Sequence, residues 1–360
     1  MVFIGGPRQV GKTTLSLQYL NPPTESNAAY FNWDRLADRK IILRDELPLH
    51  VPLLVLDEVH KFRNWRGFIK GIYDKNKSHL RILVTGSARL DYFRKGGDSL
   101  LGRYNYFRLH PFTLSEMSKN PGASDLSDLL KFSGFPEPLF AANEKVHRRW
   151  QRERIQRVIY DDLRDLETVK EISSLDLLIE ALPERVGSPL SLKNLSEDLQ
   201  VSQPTVGRWI DILDRLYLTF RISPFGAPRI RAVKKEQKIY FWDWTQVENE
   251  GARFENLVAS HLLKYCHYLE DTEGYRMELR FIRDTDRREV DFVVIRNSKP
   301  HFAVECKTGE RSLSPWIHYF SQRTQIPEFY QVHQGSRDFG HAKSGRVLPL
   351  TTFCRELKLV

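Results

Sequence analysis

The chain has 360 residues, with 55 Lys and Arg against 46 Asp and Glu for a net charge of +9, and it is 41% hydrophobic and 28% charged. That composition buries sizeable cores, and the length points to two or three domains, so a largely disordered or fibrous chain is excluded. No apolar run approaches the roughly 18–20 residues of a membrane span. The start, Met1-Val2-Phe3-Ile4-Gly5-Gly6-Pro7-Arg8, lacks the apolar core and cleavage site of a signal peptide. A soluble, cytoplasmic protein with no membrane partner is expected. Cys266, Cys306 and Cys354 stand far apart without a CxxC pair, which argues against a disulfide framework or a zinc site and fits a reducing cytosol. The basic excess is as compatible with a plain basic surface as with a nucleic-acid partner.

In chain order, residues 2–6 read as a short buried strand entering a Gly-rich turn, followed by a helix from about Lys12 to Tyr19. Leu53-Leu54-Val55-Leu56 and Arg81-Ile82-Leu83-Val84-Thr85 are further buried strands, and a last one runs from Tyr104 to Leu109, stopped by Pro111. Strands alternating with helical stretches predict a doubly wound α/β domain with a parallel sheet. From Thr113 to about Pro189 the pattern is helical with charged faces, and Lys145 to Arg157 is strongly basic. Two short helices around a turn follow between Leu190 and Ile222, and a second α/β segment begins near Lys238.

Gly6-Pro7-Arg8-Gln9-Val10-Gly11-Lys12-Thr13 matches GxxxxGK[ST] between an apolar strand and a helix. The glycines let backbone N–H groups and the helix N-terminus wrap phosphate oxygens. Lys12 is expected to neutralise the β- and γ-phosphates of ATP, Thr13 to hold Mg²⁺, and Thr14 to touch the α-phosphate. Leu53–Leu56 delivers Asp57 and Glu58 at a strand's C-terminal end, where α/β sheets bind ligands. Asp57 is expected to act through Mg²⁺ and Glu58 to activate the attacking water. Ser87, after Thr85-Gly86, is a sensor of phosphate state or part of a plain turn. Arg103 reaches the γ-phosphate, in cis or from a neighbouring subunit of a homo-oligomer, or is structural.

These motifs, with Gly102-Arg103 and His110-Pro111-Phe112-Thr113-Leu114-Ser115-Glu116, resemble the bacterial and archaeal AAA+-superfamily ATPases whose core is joined to a C-terminal domain similar to PD-(D/E)XK nucleases. The resemblance covers nearly the whole chain. Members usually carry a further segment before the first strand. This chain begins at that strand, so a truncated start or a differently held adenine is expected.

Leu190 to Leu199 reads as a Ser-capped helix, and Pro204 opens a second one carrying Val206, Ile210 and Leu213. With Val201 they pack inward as a helix-turn-helix, leaving Gln203, Thr205 and Arg208 to face a DNA major groove. The strand Tyr217–Ile222 and the basic stretch Arg229–Lys235 form the wing. The alternative is a packing module that touches no DNA.

After residue 250, Glu255 lies on a helix with an apolar face, Asp291 opens the strand Phe292–Ile295, and Glu305 and Lys307 close the strand from Phe302, sharing one face. Acids converging from adjacent strands beside a lysine suit Mg²⁺ or Mn²⁺. Asp291 and Glu305 are expected to bind metal, Lys307 to position or help deprotonate water, and Glu255 to complete the shell. The alternative is a buried salt-bridge network in a domain that binds without cutting. Glu289 is a further acid or, preferred here, a solvated charge. His261, His267, His301 and His318 lack metal-ligand spacing and are expected to be ordinary surface or half-buried histidines.

The expected organisation is a P-loop AAA+-type ATPase domain over 1–113, a helical lid or linker over 114–189, a winged helix over 190–238 and an α/β restriction-nuclease-like domain over 239–360. The expected function is ATP binding and hydrolysis at DNA with a metal-dependent C-terminal site. The alternative is an ATP-dependent switch whose C-terminal domain binds DNA or a partner protein.

Overall fold

The computed structural model describes residues 1–87, 100, 102–157, 172–226 and 237–359. The chain divides into two compact units, Met1–His110 with Arg215–Tyr217, and Pro111–Asp214 with Leu218–Val360.

The first unit is built on a five-stranded sheet of β1 (Val2–Gly5), β2 (Tyr30–Asn32), β3 (Leu53–Asp57), β4 (Arg81–Thr85) and β5 (Asn105–Arg108), in the order β2-β3-β4-β1-β5. Every pairing is parallel. Such strands are covered on both faces, hence the unbroken apolar runs: Leu54, Val55, Leu56 and Val84 are fully buried. Helices α1 (Lys12–Leu17), α2 (Leu36–Leu43) and α3 (Trp65–Asn76) belong to this unit. A parallel sheet gathers all its C-terminal strand ends on one edge, so the segments after β1, β3 and β4 emerge side by side. β2 has too few residues to show a period in the sequence, yet its register sets Asn32 beside Asp57.

The second unit opens with α4 (Leu114–Met117), α5 (Ala123–Phe132), α6 (Pro136–Ala141), α7 (Glu144–Arg157) and α8 (Ile172–Ala181). Next come α9 (Leu192–Asp198), capped by the Ser191 side chain, and α10 (Gln203–Arg215). Val206, Ile210 and Leu213 are fully buried, whereas Val201, also expected to pack inward, is half-buried. Gln203 and Arg208 are exposed, Thr205 half-buried. The wing expected at 229–235 falls outside the described residues.

The rest is an eight-stranded mixed sheet in the order β12-β13-β11-β10-β9-β8-β6-β7, comprising β6 (Thr219–Pro224), β7 (Lys238–Phe241), β8 (Met277–Arg283), β9 (Glu289–Arg296), β10 (Lys299–Cys306), β11 (Phe329–His333), β12 (Phe339–His341) and β13 (Gly345–Pro349). The strand assigned to a wing, β6, pairs antiparallel with β7 and parallel with β8. Position 238/239 therefore falls inside one sheet, because an apolar edge strand completes its hydrogen bonds on its neighbours. The 24-residue helix α11 (Glu250–Glu273) starts on the Asn249 cap and stops at Gly274, whose φ of 72° is open to glycine. α12 (Pro315–Ser321) and α13 (Leu350–Glu356) complete the unit.

The motif His110–Glu116 supplies the start of this unit. Thr113 and Glu116 form a capping box on α4. The Leu114 N–H donates to His261 Nε2 at 3.0 Å while His261 Nδ1 meets Leu257 O at 2.8 Å, and Lys264 Nζ donates to Pro111 O at 3.3 Å and bonds Glu116. His261 is thus 1% exposed rather than superficial, because both ring nitrogens are satisfied inside. Burial pushes its pKa down to about 4. His267 and His301 are half-buried and His318 exposed, as expected.

With a folded pKa below the ordinary value of about 6.5, His261 contributes stability that is lost as pH falls, because only the unfolded chain takes up the proton. Between pH 7 and pH 5 this costs about 2 kcal/mol. A His261→Gln variant should lose that component when urea unfolding of both proteins is compared at the two pH values.

Candidate functional site

The turn between β1 and α1 has its glycines where the backbone needs them. Gly6 has φ 145° and Gly11 φ 100°, and a Cβ on Gly6 would sit 2.3 Å from Leu109 O. Lys12 is 7% exposed, and its Nζ donates to Gly6 O at 3.0 Å and Pro7 O at 2.6 Å, so the loop is wrapped round its own ammonium. Arg8 and Gln9 are half-buried, Pro7 and Val10 buried, and Thr14, the third residue of α1, is exposed. Gln9 Oε1 is buried with no hydrogen-bond partner.

Asp57, 2% exposed at the end of β3, is held by hydroxyls from three elements. Thr13 donates to Oδ2 at 2.7 Å, Tyr30 to Oδ2 at 2.9 Å and Thr85 to Oδ1 at 2.5 Å. Asn32 lies at 3.5 Å from Oδ2. Burial and the Asp57 charge raise the Tyr30 pKa, so the phenol stays a donor. The pairing of Thr13 with Asp57 assembles the oxygen donors that a Mg²⁺–nucleotide requires. Tyr30 and Asn32 carry no motif signal, and Thr85 was read only as the lead-in to Gly86-Ser87; the parallel register brings all three to Asp57.

Glu58 follows in the left-handed region at φ 55°, its N–H bonded to Thr85 O at 3.0 Å. Its carboxylate lies 3.4 Å from Lys61 Nζ and 3.7 Å from His60 Nε2. His60 is 3% exposed and wedged on Gly86, where a Cβ would come within 2.4 Å of its Nδ1. The sequence offers no sign of that buried histidine. Ser87 is 5% exposed, one residue beyond Gly86, whose N–H bonds Ile4 O at 3.2 Å; it stands on the same sheet edge as the phosphate loop.

Arg103 does not. Its carbonyl accepts from the Met1 amino group at 3.1 Å, where β1 and β5 begin, and its guanidinium holds Asp74 of α3 at 2.8 and 3.3 Å. The phosphate loop leaves the other end of β1, a four-residue strand at about 3.3 Å per residue. The expectation of Arg103 reaching the γ-phosphate of its own chain is therefore corrected: in this chain it ties the approach to β5 to α3.

In the second unit, Phe292 on β9 faces Val304 on β10 in antiparallel register, and one step further sets Asp291 across from Glu305. Asp291 Oδ2 accepts from Cys306 N at 2.8 Å, and Lys307 Nζ bonds Glu305 Oε1 at 2.6 Å. The residue that sequence reasoning missed is Lys238, which is fully buried. Its Nζ lies 3.3 Å from Glu255 Oε1, 2.5 Å from Glu289 Oε1 and 3.7 Å from Asp291 Oδ1. Burial opposes its charge, but Glu255, Asp291 and Glu289 outweigh that and raise its pKa. One expectation changes. Glu289 is a partner of Lys238 and Arg283 rather than a solvated charge. Glu255 is engaged by Lys238 and by Tyr240 OH at 2.8 Å, the internal ion cluster that stood as the alternative to a metal shell.

Among the described residues no group of three or more His, Cys, Asp or Glu is arranged to hold a metal ion. What remains open is a pair. Asp291 and Glu305, with Glu289, Lys307, Arg287, Arg311 and Trp316, line a cleft of ≈ 450 Å³. Glu305 Oε2 is buried without a hydrogen-bond partner among the described residues, and burial followed by Asp291 raises the Glu305 pKa to about 8. Burial followed by Asp291 raises Glu255 to about 7. Asp291 and Glu305 each have a lysine nearby, and as a pair of carboxylates on one cleft they are of the residue type that binds hard cations through one or two acids plus water and phosphate.

Residues 1–118 match a family model described as an AAA domain, and 123–245 and 250–353 match two described as domains of unknown function, DUF8612 and DUF4143. The N-terminal segment is an AAA-type P-loop ATPase domain. The uncharacterized protein MJ1637 of Methanocaldococcus jannaschii is 25% identical over 87% of this chain and 76% of its own length. MJ1544 of the same organism is 22% identical over 82% and 72%. Among solved structures, a RuvB variant from Thermotoga maritima aligns with 61% of this chain and 81% of its own at 16% identity and a TM-score of 0.28, too loose to carry an argument. No helix among the described residues is long and apolar enough to cross a membrane.

Lys12→Ala should abolish saturable ATP binding in calorimetry, since it removes the one ammonium that the loop encloses. Lys238→Met should cost roughly 3–5 kcal/mol in chemical denaturation, because the three carboxylates are left facing one another without their cation.

Proposed function

We propose that the protein hydrolyses ATP at the β1–α1 loop and couples this to action on DNA by its second unit, where the Asp291–Glu305 cleft hydrolyses phosphodiester bonds. The Asp57 carboxylate, oriented by the hydroxyls of Thr13, Tyr30 and Thr85, is the observation that carries the ATPase reading. Thr13 and Asp57 would hold Mg²⁺, which would supply charge withdrawal from the transferring phosphoryl group when bound. Lys12 exchanges its carbonyl partners for phosphate oxygens, Glu58 orients and deprotonates the attacking water, and Ser87 contacts the phosphoryl group. His60 and Lys61 hold the Glu58 side chain in reach.

At the second site a divalent cation, Mg²⁺ or Mn²⁺, when held by Asp291 and Glu305, would polarise a phosphodiester. Lys307 positions the water, and Arg287 and Arg311 at the cleft face the polyanion. The half-exposed Trp316 on the same wall gives an unpaired base a stacking surface. A second reading, an ATP-dependent switch whose C-terminal unit binds DNA or a protein without cutting, is favoured by one feature: the Lys238 ammonium already neutralises much of the acid cluster.

Glu58→Gln should bind ATP yet lower kcat for its hydrolysis by roughly 10²–10⁴-fold. Circular and linear DNA incubated with Mg²⁺ or Mn²⁺, with and without ATP, should be cut by the parent and not by Asp291→Ala. Absence of cutting by the parent in every condition overturns the nuclease reading in favour of the switch.

A further inference from the structure

Helices α9 and α10 together carry three Lys and Arg against four Asp and Glu, little charge with which to attract DNA. α10 carries Arg208 and Arg215 against Asp211 and Asp214, and both acids are held by Arg221 at 2.6 Å. α9 adds Lys193 against Glu197 and Asp198. Among the described residues a dense run of positive charge lies elsewhere, on α7, with six Lys and Arg, of which Arg154 is buried, against two Glu.

On α7 the cations are sorted by face. At 3.6 residues per turn Lys145, Arg149 and Arg152 fall within about 60° of one another, spread over about 10 Å of helix. All three are exposed, and none has an ion-pair partner among the described residues. The acids of the helix are engaged by other cations: Glu144 by Lys131 at 2.7 Å and Arg148 at 3.5 Å, Glu153 by Arg157 at 3.7 Å. Arg152 also borders a cleft with Asp176 and Glu180, without an ion pair to either.

The opposite face is anchored. His147 Nε2 meets Thr245 Oγ1 at 2.8 Å, and Trp150 is 2% exposed with its ring 5.1 Å from that of Phe135. Arg154 is 2% exposed, its guanidinium 4.4 Å above the Phe135 ring. A pinned helix presents the three charges at a fixed backbone spacing, which favours a partner whose own charges are regularly spaced. Trp150 being buried, α7 exposes no aromatic ring of the kind a single-strand site stacks bases on.

We propose that the exposed stripe of Lys145, Arg149 and Arg152 on α7, rather than α10, is where this protein contacts the phosphate backbone of duplex DNA. The inference rests on the reading that the chain acts at DNA and names the surface that does so. Contacts of this kind hold any sequence, and they set register and orientation rather than specificity.

The test is fluorescence anisotropy of a labelled 30-base-pair duplex across a salt series. It compares the full-length parent, the triple variant Lys145→Gln, Arg149→Gln, Arg152→Gln, and Arg208→Gln, with circular dichroism and ATP turnover as checks of folding. The triple variant should lose at least tenfold in affinity at 100 mM salt, and its slope of log K against log salt should flatten by about 2–3. Arg208→Gln should stay within twofold of the parent. Equal affinity and slope for parent and triple variant overturn the inference while leaving the DNA reading intact. So does a loss confined to Arg208→Gln, or a parent that prefers a single strand tenfold over the duplex. A parent that binds no DNA overturns the DNA reading itself, and the inference with it.

Discussion

A buried ammonium organises the second unit. Lys238 sits on β7 near the edge of the eight-stranded sheet, where it is fully out of water, and an isolated charge there costs several kcal/mol. Only partners converging from different elements offset that cost. Glu255 comes from α11, and Glu289 and Asp291 come from β9. One charge thereby fixes the seating of the long helix against two strands that are not neighbours in the sheet. It also partitions the acids: Glu255 and Glu289 turn toward the ammonium, Asp291 is shared, and Glu305 is left with Lys307 and an unpartnered oxygen. The chemistry of the cleft is what that partition leaves over.

The first unit solves the opposite problem. Asp57 is equally buried, but Thr13, Tyr30 and Thr85 are neutral donors, which orient the carboxylate without cancelling its charge. A carboxylate held in place with its charge intact is what a Mg²⁺–nucleotide needs. A carboxylate paired with a lysine, such as Glu255, is what a structural core needs. The same residue type serves two ends because hydroxyls surround one and an ammonium the other.

The helical middle and the C-terminal sheet are one physical body, although family models divide the chain near residue 245. β6 and β7 precede that point in sequence and pair into the sheet that follows it. α11 likewise serves both sides, with Glu255 in the ion cluster and His261 and Lys264 clamping the start of α4. Burying a helix of that length requires apolar contacts on several faces, and those come from segments far apart in the chain.

Gly6 to Thr13 were legible without coordinates because phosphate binding imposes local demands, left-handed glycines and a helix start, that fall within eight consecutive residues, and Asp57 and Glu58 because they end an unbroken apolar strand. The strands β1, β3, β4, β9 and β10 were legible for a similar reason, since burial on both faces writes an unbroken apolar run. Tyr30, His60 and Lys238 left no such trace: a three-residue strand has no period, and a lone histidine or lysine looks the same buried or solvated. Arg103 was readable as an arginine but not as one at the wrong end of its sheet, and Glu289 as an acid but not as a paired one. The sequence by itself thus determined which chemistry each segment can perform, because that depends on residue type and local backbone. The tertiary structure alone decided which charges meet, because strand register and helix seating bring together residues that are strangers along the chain.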